Sequence, residues 1–354
     1  MAYTTIDDPS AHFQVSIWTG NSVDDRSIDQ DGNSTFQPDI VWIKSRGGTQ
    51  LQYMYDSTRG VNIQLLVADG AAETTVADRL QAFESDGFQL GTSSEVNYVG
   101  GLAYVGWQWL ANAGSRTTFT ESGDNPAGGH SANTTAGISV VDYTGTGAVG
   151  TVAHGLGAVP NLIIIKNRDA ADNWAVYHSA NTGAPNTDYL VLNTAAATAD
   201  DATYWNDTSP TSSVFTVTTV HNVNADAEKY IAYCFTSIQG FSKFGSYIGN
   251  GSADGPFIYT GFKPAVVITK GSSVADDWVI QDNKRNPDND VSKRLFPSET
   301  AAEDTTANWM DFLSNGFKPK ISDGKHNGSD ETYIYIAFAE QPFVTSGGTP
   351  CTAR

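Results

Sequence analysis

The sequence predicts an all-β protein built of three tandem, homologous, β-sandwich-like modules. Three observations support this prediction: a set of motifs that recurs three times in register, apolar runs of strand length, and turn-forming residues between them. The 354 residues include 34 glycines and 13 prolines, and 11% are aromatic. This composition favours short strands joined by turns over long helices.

Proline and lysine mark the repeat most clearly. In each copy a proline lies six residues before a lysine, and an apolar run such as Leu162–Ile165 fills the interval. The pairs are Pro38 and Lys44, Pro160 and Lys166, and Pro264 and Lys270. Each copy also has an aromatic-x-Gly turn before the proline and a tyrosine that opens a closing strand. The turns begin at Trp18, Tyr143 and Tyr247, and the tyrosines are Tyr104, Tyr230 and Tyr335. Motifs that keep register three times indicate repeated structural units.

The repeat divides the chain into six parts. These are an N-terminal arm (1–12), module 1 (13–111), a flexible linker (112–137), module 2 (138–238), module 3 (239–344) and a C-terminal tail (345–354). The linker is rich in Gly, Ser, Thr and Asn and has no apolar pattern, which is typical of a mobile connection. Because only Thr236–Gly240 join modules 2 and 3, we expect those two to be held together and module 1 to be looser.

Local patterns predict the strands of each module. The alternation in Phe13–Trp18 places one face of the first strand on a core. The unbroken apolar run Ile40–Ile43 predicts a strand that is covered on both faces. The turns Asp86-Gly87 and Asn315-Gly316 permit positive φ and lead into a further strand. We expect the Ala-, Thr- and acid-rich segments in between to be loops.

The net charge of −19 restricts the partners of the chain. Binding to nucleic acid through phosphates needs a cationic surface, and so does binding to an anionic membrane surface. The first residues contain no basic region followed by an apolar run, so no signal peptide or membrane-spanning segment is expected. The two cysteines, Cys234 and Cys351, do not suggest a disulfide framework. These features exclude nucleic acid as a partner and exclude membrane insertion.

Two repeated polar positions are candidates for chemistry. The first is the lysine of each copy, which could be a buried Schiff-base nucleophile but more often places its ammonium in solvent or pairs with a carboxylate. The second lies twelve residues further on, at Asp56, His178 and Asp282. Because the residue type changes between copies, we interpret it as a hydrogen-bonding position at a strand end. No catalytic residue is assigned.

No metal or cofactor site is predicted. The six histidines are dispersed and show no zinc-ligand spacing. The turn aspartates Asp24-Asp25, Asp276-Asp277 and Asp323 could hold calcium through their oxygens, but no known calcium-loop spacing surrounds them. Phosphate-binding and dinucleotide-binding motifs are absent from the sequence.

Two tryptophans are candidates for ligand binding. Trp174 and Trp278 each head a strand eight residues after the lysine and are bordered by polar turns, where Gln52 stands in the first copy. They could form a platform on which a sugar stacks. The alternative, which we favour, is that they fill the module core, because aromatic side chains dominate such cores.

Longer strings of the sequence resemble a known family. The strings are Met1–Ser10, Tyr143–Gly147 with His154–Gly157, Tyr230–Phe235, Gly240–Tyr247 with Asp254–Phe257, and Ala337–Phe343. They are similar to those of a repeat-containing virion protein family that is widespread in tailed bacteriophages, particularly of marine and aquatic hosts. The resemblance covers nearly the whole chain. Members are usually called tail or tail-fibre proteins, and no catalytic residues are established for the family.

The resemblance implies a virion component that is made in the host cytoplasm. We expect a non-enzymatic structural protein, with a tail-associated fibre or host-contact protein favoured. The alternatives are a capsid decoration or cement protein, and a carbohydrate-binding adhesin or glycan-degrading tail enzyme. The expected partners are other virion proteins, reached through residues 1–12, further copies of the chain, with a trimer favoured by analogy to fibres, and a host surface glycan.

Overall fold

A computed structural model describes residues 3–352. Within that range the protein is all-β, which confirms the all-β class that the sequence predicts. A short 3-10 helix, Pro9–Ala11, precedes the first strand. The described α-helices have four residues each, and none is long and apolar enough to cross a membrane. Positions 1, 2, 353 and 354 of the predicted arm and tail lie outside the described residues.

Module 1 begins with a seven-residue strand and ends with another. Its elements are β1 (Phe13–Thr19), β2 (Arg26–Asp29), β3 (Ile40–Ser45), β4 (Gln52–Asp56), β5 (Ile63–Leu66), β6 (Thr74–Thr75), β7 (Leu80–Glu84), β8 (Gly87–Leu90), α1 (Ser94–Asn97) and β9 (Ala103–Trp109).

Module 2 has the same kind of sequence of elements, preceded by two strands from the predicted linker. The elements are β10 (Thr117–Phe119), β11 (Ala127–Asn133), β12 (Ile138–Thr144), β13 (Gly150–Ala153), β14 (Leu162–Asn167), β15 (Ala175–His178), β16 (Asp188–Val191), β17 (Ala199–Asp200), α2 (Ala202–Trp205), β18 (Val214–Val217), α3 (His221–Asn224) and β19 (Lys229–Phe235).

Module 3 follows after a short connection. Its elements are β20 (Ser242–Ile248), β21 (Ile258–Tyr259), β22 (Phe262–Gly271), β23 (Val279–Asp282), β24 (Met310–Leu313), β25 (Gly316–Pro319), α4 (Gly324–Asn327) and β26 (Thr332–Pro342).

One strand order recurs in the main antiparallel sheets. The closing strand of each module lies between the first strand and the lysine-bearing strand, and the next strand follows at the outer side. The orders are β1-β9-β3-β4-β5-β6, β10-β11-β12-β19-β14-β15-β16-β17, and β20-β26-β22-β23. Smaller sheets, ordered β2-β8-β7, β13-β18 and β21-β25-β24, cover one face of each main sheet.

The lysine-bearing strands are apolar on both sides because each separates two cores. In β3, Val41 and Ile43 face the small sheet of module 1, whereas Ile40 and Trp42 face a core that all three modules share. Trp42, Ile164 and Ile268 meet there with side chains of the closing strands. A small apolar cavity of about 30 Å³ lies among them. The prediction that Ile40–Ile43 is covered on both faces agrees with this arrangement.

The prediction of a flexible linker over 112–137 is wrong. β11 pairs with β12 from Ala127↔Thr144 to Asn133↔Ile138, and β10 pairs with β11. The start of the segment is fixed by Asp39, whose carboxylate accepts hydrogen bonds from four consecutive backbone N–H groups, Ala111 to Gly114, at 2.7–2.8 Å. Backbone pairing at a sheet edge needs no apolar side chains, so the composition of this segment did not reveal its strands.

The N-terminal residues do not project as a separate arm. Thr4 and Ile6 are each 3% exposed, and Ile6 packs in the shared core. Thr4 Oγ1 donates to the carbonyl of Gln239 at 2.7 Å, and the backbone N–H of Ser346 donates to Asp7 at 2.6 Å. The two ends of the described chain are therefore packed together against module 3.

The register of the closing strand corrects one predicted equivalence. Tyr333, and not Tyr335, pairs with the aromatic residue of the first strand, as Tyr230 does with Tyr143. The rings of Tyr247 and Tyr333 stack at 5.2 Å, and those of Tyr143 and Tyr230 at 5.0 Å. Residues two apart in a strand share a face, so a motif displaced by two residues shows the same alternation.

Candidate functional site

The residue eight positions after each lysine joins neighbouring modules. Trp174 Nε1 donates to Leu66 O of module 1 at 2.9 Å, and Trp278 Nε1 donates to Val191 O of module 2 at 2.8 Å. Gln52 Nε2 of module 1 donates to Phe296 O of module 3. Each donor thus bonds to the preceding module, and module 1 bonds back to module 3. The three modules close into a ring.

The two tryptophans cannot serve as the proposed stacking platform in this structure. Trp174 is 0% exposed and Trp278 is 1% exposed, and both belong to the shared core. An incoming sugar has no access to their ring faces. The alternative interpretation, that they fill a core, is the one that the structure supports, although the core is common to the modules and not internal to one.

Backbone hydrogen bonds repeat the same closure. The N–H of Glu73 donates to Arg168 O at 2.7 Å, and the N–H of Thr198 donates to Ser272 O at 3.0 Å. The N–H of Glu303 donates to Arg46 O at 2.8 Å. Each bond joins equivalent positions of two modules, so the junctions share one plan. Module 1 therefore contacts both neighbours and is not looser than the others.

The junction between modules 1 and 2 contains a chain of four charged side chains. Arg59 Nε lies 2.6 Å from Asp56 Oδ2, and Arg59 Nη1 lies 3.6 Å from Glu73 Oε2. Glu73 in turn accepts from Arg168 Nε at 2.7 Å. The side chains of Asp56 and Arg59 are fully buried. Buried charges of this kind are tolerated because each one is paired.

The junction between modules 3 and 1 repeats the four charges. Arg285 Nε lies 2.6 Å from Asp282 Oδ2, and Arg285 Nη1 lies 3.0 Å from Glu303 Oε2. Arg46 binds the same glutamate through two hydrogen bonds of 2.9 Å. We call this junction and the one between modules 1 and 2 the charged junctions.

The junction between modules 2 and 3 carries no charge at these four positions. His178, Asn181, Thr198 and Ser272 stand where the charged junctions have Asp, Arg, Glu and Arg. Thr198 Oγ1 donates to Asn181 Oδ1 at 2.7 Å. We call this the neutral junction.

The change of residue type among Asp56, His178 and Asp282 follows from their partners across the junctions. Tyr233 OH donates to Asp56 Oδ2 at 2.7 Å, and Trp107 Nε1 donates to Asp282 Oδ2 at 3.1 Å. The equivalent residue of module 3 is Ile336, which has no donor to offer.

His178 bonds to the backbone instead. Its Nε2 lies 3.2 Å from Tyr335 O, and its Nδ1 accepts from the N–H of Ala180 at 3.2 Å. Burial lowers the pKa of His178 to about 4, so the imidazole is neutral at pH 7. The interpretation of this position as a hydrogen-bonding one agrees with these contacts.

The repeated lysines are fully buried, contrary to the expectation of solvent exposure or a carboxylate partner. Lys44 Nζ donates to Gln50 O at 2.6 Å and to Thr300 O of module 3 at 2.8 Å. Lys166 and Lys270 also donate to backbone carbonyls. Burial lowers the pKa of each lysine to about 8. Their side chains are enclosed within the fold, so a substrate has no route to them.

Two groups of described residues have the spacing of a cation site. In Asp172, His221 and Glu228, and in Asp29, Glu84 and Asp86, the ligand atoms lie within 4.8 Å of one another. In the first group Asn167 Nδ2 already donates to Asp172 Oδ2 at 2.7 Å and to Glu228. The predicted calcium candidates Asp276 and Asp277 both pair with Lys325. The carboxylates of Asp172, Glu228, Asp276 and Asp277 are therefore engaged with protein donors.

A groove opens at the neutral junction. Its volume is about 410 Å³. The lining residues are Ala180, Asn181, Thr182, Gly183, Ser246, Ser272, Ser273 and Thr332. Sequence reasoning did not find this groove. Comparison of the residue two positions after each lysine would have pointed to it, because that residue is arginine at Arg46 and Arg168 but serine at Ser272.

Residues 3–352 form an all-β fold of antiparallel sheets, and the junctions between them follow one repeated plan. Residues 8–342 match the model of a family described as a domain of unknown function (DUF7483), and the chain belongs to that family. Comparison with curated proteins finds no match.

Proposed function

We propose that the protein is a non-enzymatic structural component of a bacteriophage particle, with a tail-associated fibre or host-contact role. The observation that carries the proposal is the use of the repeated polar residues. Asp56, His178, Asp282 and the buried lysines bind groups inside the fold and across its junctions. Such an arrangement stabilises a rigid block and leaves these residues no substrate to act on. The resemblance of the sequence to phage tail proteins supports the virion as its location.

A capsid decoration protein is the second candidate. The closed ring of modules favours it, because a fibre shaft is extended by stacking units in one direction. The two ends of the described chain meet at Asp7 and Ser346. A block with both ends on one side suits attachment to a particle surface as well as it suits the tip of a fibre.

Immunogold labelling of purified phage particles tests the proposal. An antibody raised against the recombinant chain is expected to label the tail, and labelling of the head would favour the decoration protein. Antibody that has been preadsorbed with the purified chain is the control. Unlabelled particles would contradict the proposal, and turnover of host polysaccharide by the purified protein would contradict its non-enzymatic part.

We also propose self-association, with a trimer expected by analogy to fibres. The mass of the full chain in solution, measured by analytical ultracentrifugation, tests it. Deletion of residues 1–12 does not isolate an attachment function, because Thr4 and Ile6 belong to the folded core. A monomer in solution, together with particles that show no contact between copies, would contradict self-association.

A further inference from the structure

We propose that the groove at the neutral junction is a binding site for a neutral saccharide. This inference goes beyond the structural role proposed above and does not depend on where the protein lies in a particle. It rests on a comparison of equivalent positions within the chain, between the neutral junction and the two charged junctions.

The groove exists because a long side chain is missing. At the charged junctions Arg46 and Arg168 extend over the neighbouring module and reach Glu303 and Glu73. Ser272 stands at the equivalent position of module 3 and is too short to fill that space. Its hydroxyl donates to Thr332 O at 3.2 Å and lies in the wall of the groove.

Asn181 lines the groove and has an unused donor buried beside it. It occupies the position of Arg59 and Arg285 in the other modules, and those arginines donate hydrogen bonds to buried carboxylates. Asn181 is 2% exposed, and its Nδ2 has no hydrogen-bond partner among residues 3–352. Buried amide donors are almost always paired, so the arrangement lacks an acceptor. Rotation of the Asn181 side chain toward the groove would let an oxygen atom of a ligand supply one.

The remaining lining residues define the class of ligand. The wall carries the hydroxyl groups of Thr182, Ser246, Ser272 and Ser273, and none of the lining residues is ionisable. Thr182 and Ser272 already donate to Asp188 and to Thr332 O, and Ser273 accepts from the N–H of Thr332, so these three keep only part of their hydrogen-bonding capacity for a ligand. An anion would find no cationic side chain in the groove and a chain of net charge −19 around it. Sugar hydroxyls match this lining because they too donate and accept. A volume of about 410 Å³ is within the usual range for small-ligand sites.

Saturation-transfer NMR on the full chain tests the proposal. The probes are the methyl glycosides of glucose, galactose, mannose and N-acetylglucosamine, with glucose 6-phosphate and sialic acid as anionic counterparts. We expect saturation transfer to at least one neutral glycoside and less to the anionic sugars. Absence of transfer to every neutral glycoside, or stronger transfer to the anionic sugars, would overturn the proposal.

A pair of variants places the binding in the groove. Thr198→Glu combined with Ser272→Arg introduces the ion pair that the charged junctions have and fills the space of the groove. Saturation transfer to the glycoside is therefore expected to fall at least tenfold. Ser246→Arg, at an exposed position on the rim, blocks the mouth without altering the junction and is expected to act in the same direction. Ser212→Arg, at an exposed position outside the lining, is the charge-matched control and is expected to bind as the wild type does.

The variant data also have a clear negative outcome. Transfer that persists in a folded double variant and in Ser246→Arg would show that the sugar binds elsewhere, and the groove would then not be the site. Circular dichroism and thermal melting establish which variants are folded. If the double variant does not fold, Ser246→Arg alone decides the question. Immunogold labelling reports separately on the proposed virion role, so either proposal can fail without the other.

Discussion

Arg46 and Glu303 form a two-point ion pair that joins the first module to the last. Arg46 Nε and Nη2 each lie 2.9 Å from a carboxylate oxygen of Glu303, across 257 positions of sequence. Glu303 also accepts from Arg285, whose side chain is fully buried. The pair therefore closes the ring, and its removal leaves two guanidinium groups without their shared carboxylate.

Glu303→Gln is expected to lower the free energy of unfolding by about 3 kcal/mol, because removal of one partner leaves buried charges unpaired. The measurement is urea denaturation followed by circular dichroism. Glu121→Gln, at an exposed position, is the control. Equal unfolding free energies for Glu303→Gln and the wild type would show that the pair contributes nothing.

The same variant has a pH signature. Burial alone would raise the pKa of Glu303, but hydrogen bonds and charges from Arg46 and Arg285 outweigh it and hold the pKa below its ordinary value of 4.5. A lowered pKa contributes stability that is complete above pH 4.5 and is lost as the pH falls through the folded-state value. The difference between wild type and Glu303→Gln should therefore shrink below pH 4.5. A difference that stays constant down to pH 2 would contradict this origin.

Trp174→Phe tests the indole bond between modules 2 and 1. The change keeps an aromatic ring in the shared core but removes the Nε1–H that donates to Leu66 O at 2.9 Å. We expect a loss of about 1–3 kcal/mol in unfolding free energy, because the carbonyl loses its partner inside the protein. Tyr98→Phe, which removes a hydroxyl at a side chain that is 42% exposed, is the control. A loss no larger than that of the control would argue against the role of this bond.

His178→Gln is expected to change how the free energy of unfolding depends on pH below 6.5. The unfolded chain binds a proton near pH 6.5, whereas burial lowers the pKa of His178 to about 4 in the folded protein. Between these values the unfolded state holds more protons, so stability falls as the pH drops from 6.5 to 4. Loss of this histidine should remove up to about 1.4 kcal/mol per pH unit from that slope. Urea denaturation at several pH values measures it, with exposed His221→Gln as the control for removing an imidazole. An unchanged slope in His178→Gln would contradict the prediction.

The buried lysines are expected to affect stability at alkaline pH. Burial lowers the pKa of Lys44 to about 8 in the folded protein, whereas the unfolded chain keeps the proton to its ordinary value of 10.5. The unfolded state again holds more protons in this interval, so wild-type stability should rise from pH 8 to pH 10. Lys44→Met should flatten the rise by up to about 1.4 kcal/mol per pH unit. Lys229→Met, at an exposed strand end, is the control. Above pH 10 tyrosine ionisation intervenes, because burial raises the pKa of Tyr55 and other tyrosines.

Local pattern predicted the strand class and several strands but failed where backbone pairing decided the structure. The alternation of Phe13–Trp18 and the apolar run Ile40–Ile43 correspond to β1 and β3. β11, with the sequence Ala-Gly-Gly-His-Ser-Ala-Asn, has no such pattern because it is held by hydrogen bonds to β12. The segments predicted as loops contain β6 and β17, which are only two residues long. Strands of that length carry too few side chains for a pattern.

Candidate sites were predicted less well than strands. The repeat drew attention to Trp174, Trp278, His178 and the lysines. The tryptophans, His178, Lys44 and Lys270 bond across a junction, whereas Lys166 bonds only to carbonyls of its own module among the contacts of the described residues. The groove lies beside Ser272, a position where the residue type differs from the arginine of the other two copies. The positions that keep the same residue type in each copy did not indicate it. A single copy of the sequence shows only that a serine follows a lysine-bearing strand. Its meaning depends on what the equivalent arginines contact.

The sequence by itself determined the all-β class and the apolar alternation of the main strands, because strand periodicity depends on neighbouring residues alone. It also determined which positions recur. Only the tertiary structure decided that these positions face a common core and close a ring, since contacts such as Arg46 with Glu303 join residues that are far apart in sequence. The same long-range packing buried the tryptophans that the sequence offered as a platform, and it opened a groove where Ser272 replaces an arginine.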